Sequence, residues 1–176
     1  MRFQGVLLVF RIGEKVVYKT NSVCCVEAIE TPSFVSDKQK KYYKLRVLYS
    51  VGNEVIYVPV ENEFAIRMTV TKEQAQKCFD TLKNIKVCQD SLKQPAAVAE
   101  HFQQLLTTCD INSSLIALKE LLLREYNLEN EGKCLKQTEQ YYLAVAKKVV
   151  INELASVLEL TVEETEEKII KALELD

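Results

Sequence analysis

The sequence predicts an α+β fold in which a small antiparallel β-module comes first and an all-α domain follows. Two observations support this prediction. Up to residue 69, short runs of β-branched and aromatic residues are separated by polar connections. After Val70, apolar residues recur at helical spacing over about five segments. We therefore expect two domains, residues 1–69 and residues 70–176.

The clearest strand of the β-module is Tyr42 to Tyr49. Tyr43, Leu45 and Val47 alternate with polar neighbours, so we expect them on one buried face. Four further strands are predicted from Val16, from Ser22 to Ile29, from Glu54 to Val58, and over residues 65–68. Five short strands in some sixty residues are typical of a Tudor- or SH3-like barrel.

The helical half is recognised by its helix starts. Thr71 and Gln74 stand at capping-box spacing, as do Thr161 and Glu164, and Asp110 is a good N-cap. Periodic apolar positions then predict helices that begin after residue 71, over 96–108, over 110–126, over about 137–158, and after residue 161. Residues 127–133 are predicted to be a polar loop.

Composition places the chain among ordinary globular proteins, with 48% apolar and 27% charged residues and a net charge of -2. The first 69 residues carry a net charge of +3 and the rest a net charge of -5. An acidic helical half argues against a general phosphate-binding role for that half. No apolar stretch is long enough to span a membrane, and the amino terminus lacks the features of a secretory signal. Six cysteines without a disulfide-framework spacing are typical of reduced thiols, so we expect a cytoplasmic protein.

Residues with catalytic or metal-binding chemistry are few. His101 is the single histidine, no C-x-x-C motif occurs, and four glycines are too few for a phosphate-cradling loop. A Cys109–His101 dyad has no support beyond the presence of both residues. We therefore predict a protein that is not an enzyme, with no catalytic residue, no metal site, no cofactor and no small-molecule substrate.

Several motifs of the first half resemble one family in combination. They are F-R-I-G-E-K-V-V-Y from Phe10, V-E-A-I-E from Val26, K-Y-Y-K-L-R-V-L from Lys41, and V-P-V-E-N from Val58. Together they resemble the amino-terminal module of the CarD family of bacterial transcription regulators, which transcription-repair coupling factors share. The helical half is also similar, in D-I from Asp110, L-K-E-L from Leu118, L-A-V-A-K from Leu143 and E-L-A from Glu153.

The resemblance implies a Tudor-like domain that docks on the β subunit of bacterial RNA polymerase through an exposed strand edge. It implies a helical domain at promoter DNA that stabilises the open complex. Arginines that contact polymerase in the family fall near Pro32 and Tyr57 here. The predicted polymerase-binding residues are Pro32 and Tyr57 together with Phe34 and Arg46.

The predicted DNA-binding residues are basic residues at matching helical positions: Lys119, Arg124, Lys147 and Lys148. The family's DNA-facing tryptophan falls near Pro95, and this chain contains no tryptophan. A protein-binding adaptor that keeps the fold without DNA contact is therefore the alternative function. A third hypothesis is an aromatic cage for a modified cation, formed by Tyr42, Tyr43, Tyr57 and Phe64. A monomer is expected, because no dimer seam is evident.

Overall fold

The computed structural model describes residues 10–19, 23–62, 65–87 and 95–175. The first part of the chain forms one antiparallel five-stranded sheet in the order β4–β3–β2–β1–β5. Its strands are β1 Lys15–Tyr18, β2 Val23–Glu30, β3 Tyr42–Val47, β4 Val55–Pro59 and β5 Ile66–Met68. The predicted Tudor-like β-module is confirmed. The proposed start of β2 at Ser22 and the cage residue Phe64 lie outside the described residues.

The alternation predicted for β3 is confirmed. Tyr43, Leu45 and Val47 are buried, whereas Lys44 and Arg46 are partly exposed on the opposite face. The buried face closes over the core of the β-module, where the Phe10 ring packs edge-on against Tyr43 at a centroid distance of 5.6 Å. The sheet therefore has a buried inner face and an outer face, and Lys44 and Arg46 lie on the outer one.

Five helices follow, as predicted. They are α1 Lys72–Asn84, α2 Pro95–Thr107, α3 Ile111–Asn130, α4 Gln137–Leu158 and α5 Val162–Leu173. They pack around a second apolar core to which α3 and α4 contribute more than half of the buried residues. Among the described helices, none is long and apolar enough to cross a membrane.

The predicted helix starts are confirmed at three positions. Thr71 and Thr161 each form a reciprocal capping box with the residue three positions later, and Asp110 accepts a hydrogen bond from the Ser113 N–H at 2.9 Å. One helix end differs from the prediction. Since α3 continues to Asn130, its last turn occupies residues expected in a loop, and the chain turns at Gly132, where φ is +69°.

The sheet and the helices are in contact. α4 packs against β2, and the Lys15 ammonium donates to the Ser156 carbonyl of α4 at 3.1 Å. Arg67 of β5 pairs with Glu153 of α4. The boundary expected at residue 69 falls in the connection between β5 and α1, and the division into two independent domains stays a prediction.

Candidate functional site

The described sheet ends in two edge strands, β4 and β5, and the open edge considered as a binding site is the outer side of β4. In the described sheet, β4 is a terminal strand and pairs with β3 alone. The Val47 N–H donates to the Glu54 carbonyl at 3.0 Å, which fixes the phase of the β3–β4 ladder. Since residues of an antiparallel ladder alternate in direction, Val55 and Tyr57 point their N–H and C=O groups away from β3. Pro59 follows the same direction but has no N–H, and its carbonyl already accepts the Asn62 N–H at 3.0 Å.

An aromatic pair lies beside this edge. The Phe34 and Tyr57 rings meet edge-to-face with centroids 5.4 Å apart and an interplanar angle of 81°. Phe34 is 71% exposed, which is unusual for a phenylalanine in a folded domain. The Tyr57 hydroxyl donates to Glu30 Oε1 at 3.2 Å, so the ring has a fixed position. The pair presents apolar surface directly next to unpaired backbone groups.

Arg46 lies on the same outer face, where Glu27 holds it. The Arg46 Nε atom lies 2.7 Å from Glu27 Oε1, and Lys44 Nζ lies 3.5 Å from Glu27 Oε2. The hydrogen bond from Arg46 lowers the pKa of Glu27 below its ordinary value. Glu27 was not predicted as a site residue. A carboxylate on β2 opposite two cations on β3 was the available signal.

Pro32 differs from the other three predicted residues because it is buried. Its carbonyl accepts a hydrogen bond from the Val35 N–H at 3.1 Å, which closes the turn that carries Phe34. The structure thus brings Phe34 and Tyr57 into contact and places Arg46 on the face that they share. Pro32 instead stabilises the turn that carries Phe34.

The cage hypothesis is wrong for this chain. Tyr43 is 2% exposed and lies on the inner face, where its hydroxyl accepts the Phe10 N–H at 3.1 Å. Tyr57 lies on the outer face, across from Lys44 of β3. Rings on opposite faces of one sheet cannot surround a cation.

Lys119, predicted to contact DNA, is buried in the helical core. Its ammonium donates to the Leu82 carbonyl at 2.5 Å and to the Lys83 carbonyl at 3.0 Å, both in the last turn of α1. These carbonyls have no partner within their own helix, so Lys119 satisfies them. Burial lowers the pKa of Lys119.

The other three predicted DNA-binding residues lie on α3 and α4. Arg124 Nε lies 2.7 Å from the buried carboxylate of Glu139, and Lys147 Nζ lies 2.8 Å from Glu166 of α5. Lys148 is partly buried on α4. Arg124 and Lys147 thus already have carboxylate partners, and their contact with DNA stays a prediction.

The single histidine and the Cys109 thiol have separate surroundings. His101 Nε2 lies 2.7 Å from Glu120 Oε2, whereas the Cys109 thiol faces the Val17 and Ala65 carbonyls, so the two do not form a dyad. In the described ranges, no three metal-ligating side chains converge.

The sequence of the β-module matches a known family. Residues 10–70 match the model described as the CarD-like/TRCF RID domain. The matched segment contains all five strands, the open edge of β4 and the Phe34–Tyr57 pair. The resemblance stated from the sequence is confirmed over these residues.

Proposed function

We propose that this chain, in which residues 10–70 form a CarD-like/TRCF RID domain, docks on the β subunit of bacterial RNA polymerase through the open edge of β4. The RID family interacts with this subunit. The observation that carries the proposal is the outward direction of the Val55 and Tyr57 backbone groups. A partner strand that pairs there gains main-chain hydrogen bonds, and the Phe34–Tyr57 pair adds apolar contact area.

The remaining predicted residues have supporting roles in this proposal. Arg46, oriented by Glu27, offers a positive charge beside the edge, at a distance that a long side chain can cover. Pro32 holds the turn that presents Phe34. Since a Pro or Tyr side chain cannot form a bidentate ion pair, we expect backbone pairing and apolar contact to supply most of the affinity.

A proline at position 55 tests strand pairing directly. Val55→Pro removes an N–H that points away from β3, so the sheet keeps its own hydrogen bonds while the partner loses one. Biolayer interferometry with a polymerase β fragment should show binding weakened by roughly tenfold or more. Val55→Thr keeps the N–H and the β-branched shape, and we expect it to weaken binding less.

Equal affinities of the two variants for the β fragment would reject pairing at this edge. Circular dichroism and thermal unfolding of Val55→Pro serve as the folding check. A proline that disturbs β3 would reduce the β-sheet signal and lower the melting temperature.

We also propose that the helical domain lies beside promoter DNA and modulates the stability of the open complex. The support is the resemblance of motifs in the helical half to the same family, and the DNA-binding residues proposed are Arg124, Lys147 and Lys148. Lys119, predicted together with them, is buried, and its ammonium is bound to carbonyls of α1. Replacing Lys147 and Lys148 by alanine should flatten the plot of log affinity against log salt by about one unit for each lysine that binds a phosphate. An unchanged affinity and slope would remove both lysines from the interface.

The adaptor alternative is favoured by a specific observation. Lys119 is bound to carbonyls, and Arg124 and Lys147 are paired with carboxylates, so these cations are partly neutralised within the chain. Binding of the β fragment together with no response to forked promoter DNA, over a full salt titration, would identify the adaptor.

A further inference from the structure

The helical domain has a groove between α1 and α5 that the proposed function does not use. Its volume is about 610 Å³. Phe79 of α1 and Leu158 and Leu160 at the end of α4 line its floor and are only partly buried. None of the lining residues belongs to the β-sheet. The groove therefore exposes apolar surface on a part of the chain remote in sequence from β4.

Three of the residues that line the groove are lysines. Lys83 of α1 and Lys168 and Lys171 of α5 all line the groove and are exposed. Within the described ranges, no carboxylate forms an ion pair with any of the three, whereas Lys72 and Lys147 nearby in the fold each have one. Glu174 also lines the groove, so its lining carries three lysines and one carboxylate, on a half of the chain whose net charge is -5.

We propose that this groove binds an acidic, amphipathic helical segment of a partner protein. Carboxylates of such a segment complement the lysines of the rim, and its apolar residues cover the exposed floor. The part of α1 that lines the groove, from Gln76 to Lys83, is about 10 Å long. This length accommodates about two turns of a bound helix. The segment that fits carries apolar side chains at i and i+4, with Asp or Glu on both sides.

Other occupants fit this surface less well. The backbone of duplex DNA presents phosphates without an apolar face, so it would leave Phe79 and Leu160 uncovered. A second copy of this chain offers the acidic residues Glu163 and Glu167 of its own α5, but twelve helical residues bury little area for a stable dimer. Binding of such a segment is independent of polymerase docking.

The experiment uses the full chain and a fluorescein-labelled helical peptide of about 12 residues, with Leu along one face and Glu elsewhere. Fluorescence anisotropy should show saturable binding. Lys168→Glu with Lys171→Glu should weaken it by roughly tenfold or more. The matched control is Lys77→Glu with Lys86→Glu, because both lysines are exposed, lie outside the groove and give the same change in net charge. We expect the control to change the affinity by less than about twofold.

The apolar floor is tested with the unaltered protein. A peptide with its Leu residues replaced by Ser should lose most of its binding, since only the charges remain. If both double-lysine variants lost the same affinity for the Leu peptide, or if the Ser peptide bound as tightly as the Leu peptide, the binding would be non-specific charge attraction. Either result would overturn the proposal. Duplex DNA that competes for the groove, or self-association abolished by Lys168→Glu with Lys171→Glu, would also overturn it. Binding of the β fragment by the same variant separates this result from the polymerase proposal.

Discussion

Arg67 and Glu153 join the last strand of the sheet to the carboxyl-terminal part of α4 through two parallel hydrogen bonds of 2.6 and 2.7 Å. Glu153 is fully buried, and its Oε1 atom also accepts the Val70 N–H at 3.0 Å. The Arg67 Nε atom donates to the Cys109 carbonyl at 2.6 Å. Through these bonds, Arg67 of β5 is joined to α4 and to the connection between α2 and α3. Glu153 is also joined to the backbone just before α1.

Breaking this pair should destabilise the whole chain. Glu153→Gln removes the charge that compensates Arg67 and leaves a partly buried cation, so we expect the free energy of unfolding to fall by about 3–5 kcal/mol. Urea denaturation followed by circular dichroism measures the change.

The matched control is an exposed ion pair within the helical half of the chain. Glu159 pairs with Lys72 at 2.8 Å, and both side chains are largely exposed. Glu159→Gln should leave the urea midpoint nearly unchanged, because an exposed ion pair contributes little to stability. If Glu153→Gln were as mild as Glu159→Gln, the Arg67–Glu153 pair would not be the main connection.

Lys119 should contribute to stability whether or not DNA binds. Lys119→Met keeps the length of the side chain but leaves the Leu82 and Lys83 carbonyls without a donor. We expect a decrease of about 1–3 kcal/mol in the free energy of unfolding, measured by urea denaturation. Lys86→Met, an exposed position just beyond α1, should be nearly neutral. Equal effects of the two variants would contradict the capping role.

Phe34 should matter for binding and little for folding. Because its ring is 71% exposed, Phe34→Ala removes few intramolecular interactions and should leave the melting temperature within a few degrees of the unaltered protein. Its affinity for the β fragment should fall by roughly tenfold if the ring is a hot spot. Val51→Ala, an exposed apolar residue in the β3–β4 turn, is the control. A similar small decrease for both would argue against a specific role of the aromatic pair.

Because of Cys24, the free energy of unfolding should depend on pH in the alkaline range. Burial raises the pKa of its thiol from an ordinary 9.0 to about 12. The folded state therefore keeps a proton that the unfolded state releases above about pH 9, so the stability contribution is complete below pH 9 and decreases as the pH rises. Urea midpoints between pH 8 and pH 10.5 should fall more steeply for the unaltered protein than for Cys24→Ala. Identical pH profiles would be inconsistent with a buried, protonated thiol.

Local patterns predicted much of this fold, and their failures have a common cause. The caps at Thr71, Asp110 and Thr161 depend on residues three positions apart, and sequence spacing describes them fully. The sequence predicts that Lys119 contacts DNA, which requires an exposed ammonium group. Its burial depends on the end of α1, whose Leu82 carbonyl lies 37 positions earlier in the chain. No local periodicity encodes that contact.

The candidate site shows the same limit. Alternation placed Arg46 opposite the core side chains of β3, as the structure has it. The contact between Phe34 and Tyr57 joins a turn after β2 to β4, and the Glu27–Arg46 pair joins β2 to β3 across a bulge between Val26 and Ala28. Such pairings follow from the register of the strands, which local sequence patterns do not determine.

Pro59 has a consequence for the accuracy of docking. A partner strand on β4 that slips by two residues keeps the same faces but moves the bound chain by about 7 Å along its partner. Since Arg67 and Glu153 fasten the helices to the sheet, the helices would be displaced by the same distance. The missing N–H of Pro59 makes one such slip less favourable, because a partner carbonyl placed there finds no donor. A single imino acid at the end of an edge strand thus helps to set where the far end of the molecule lies.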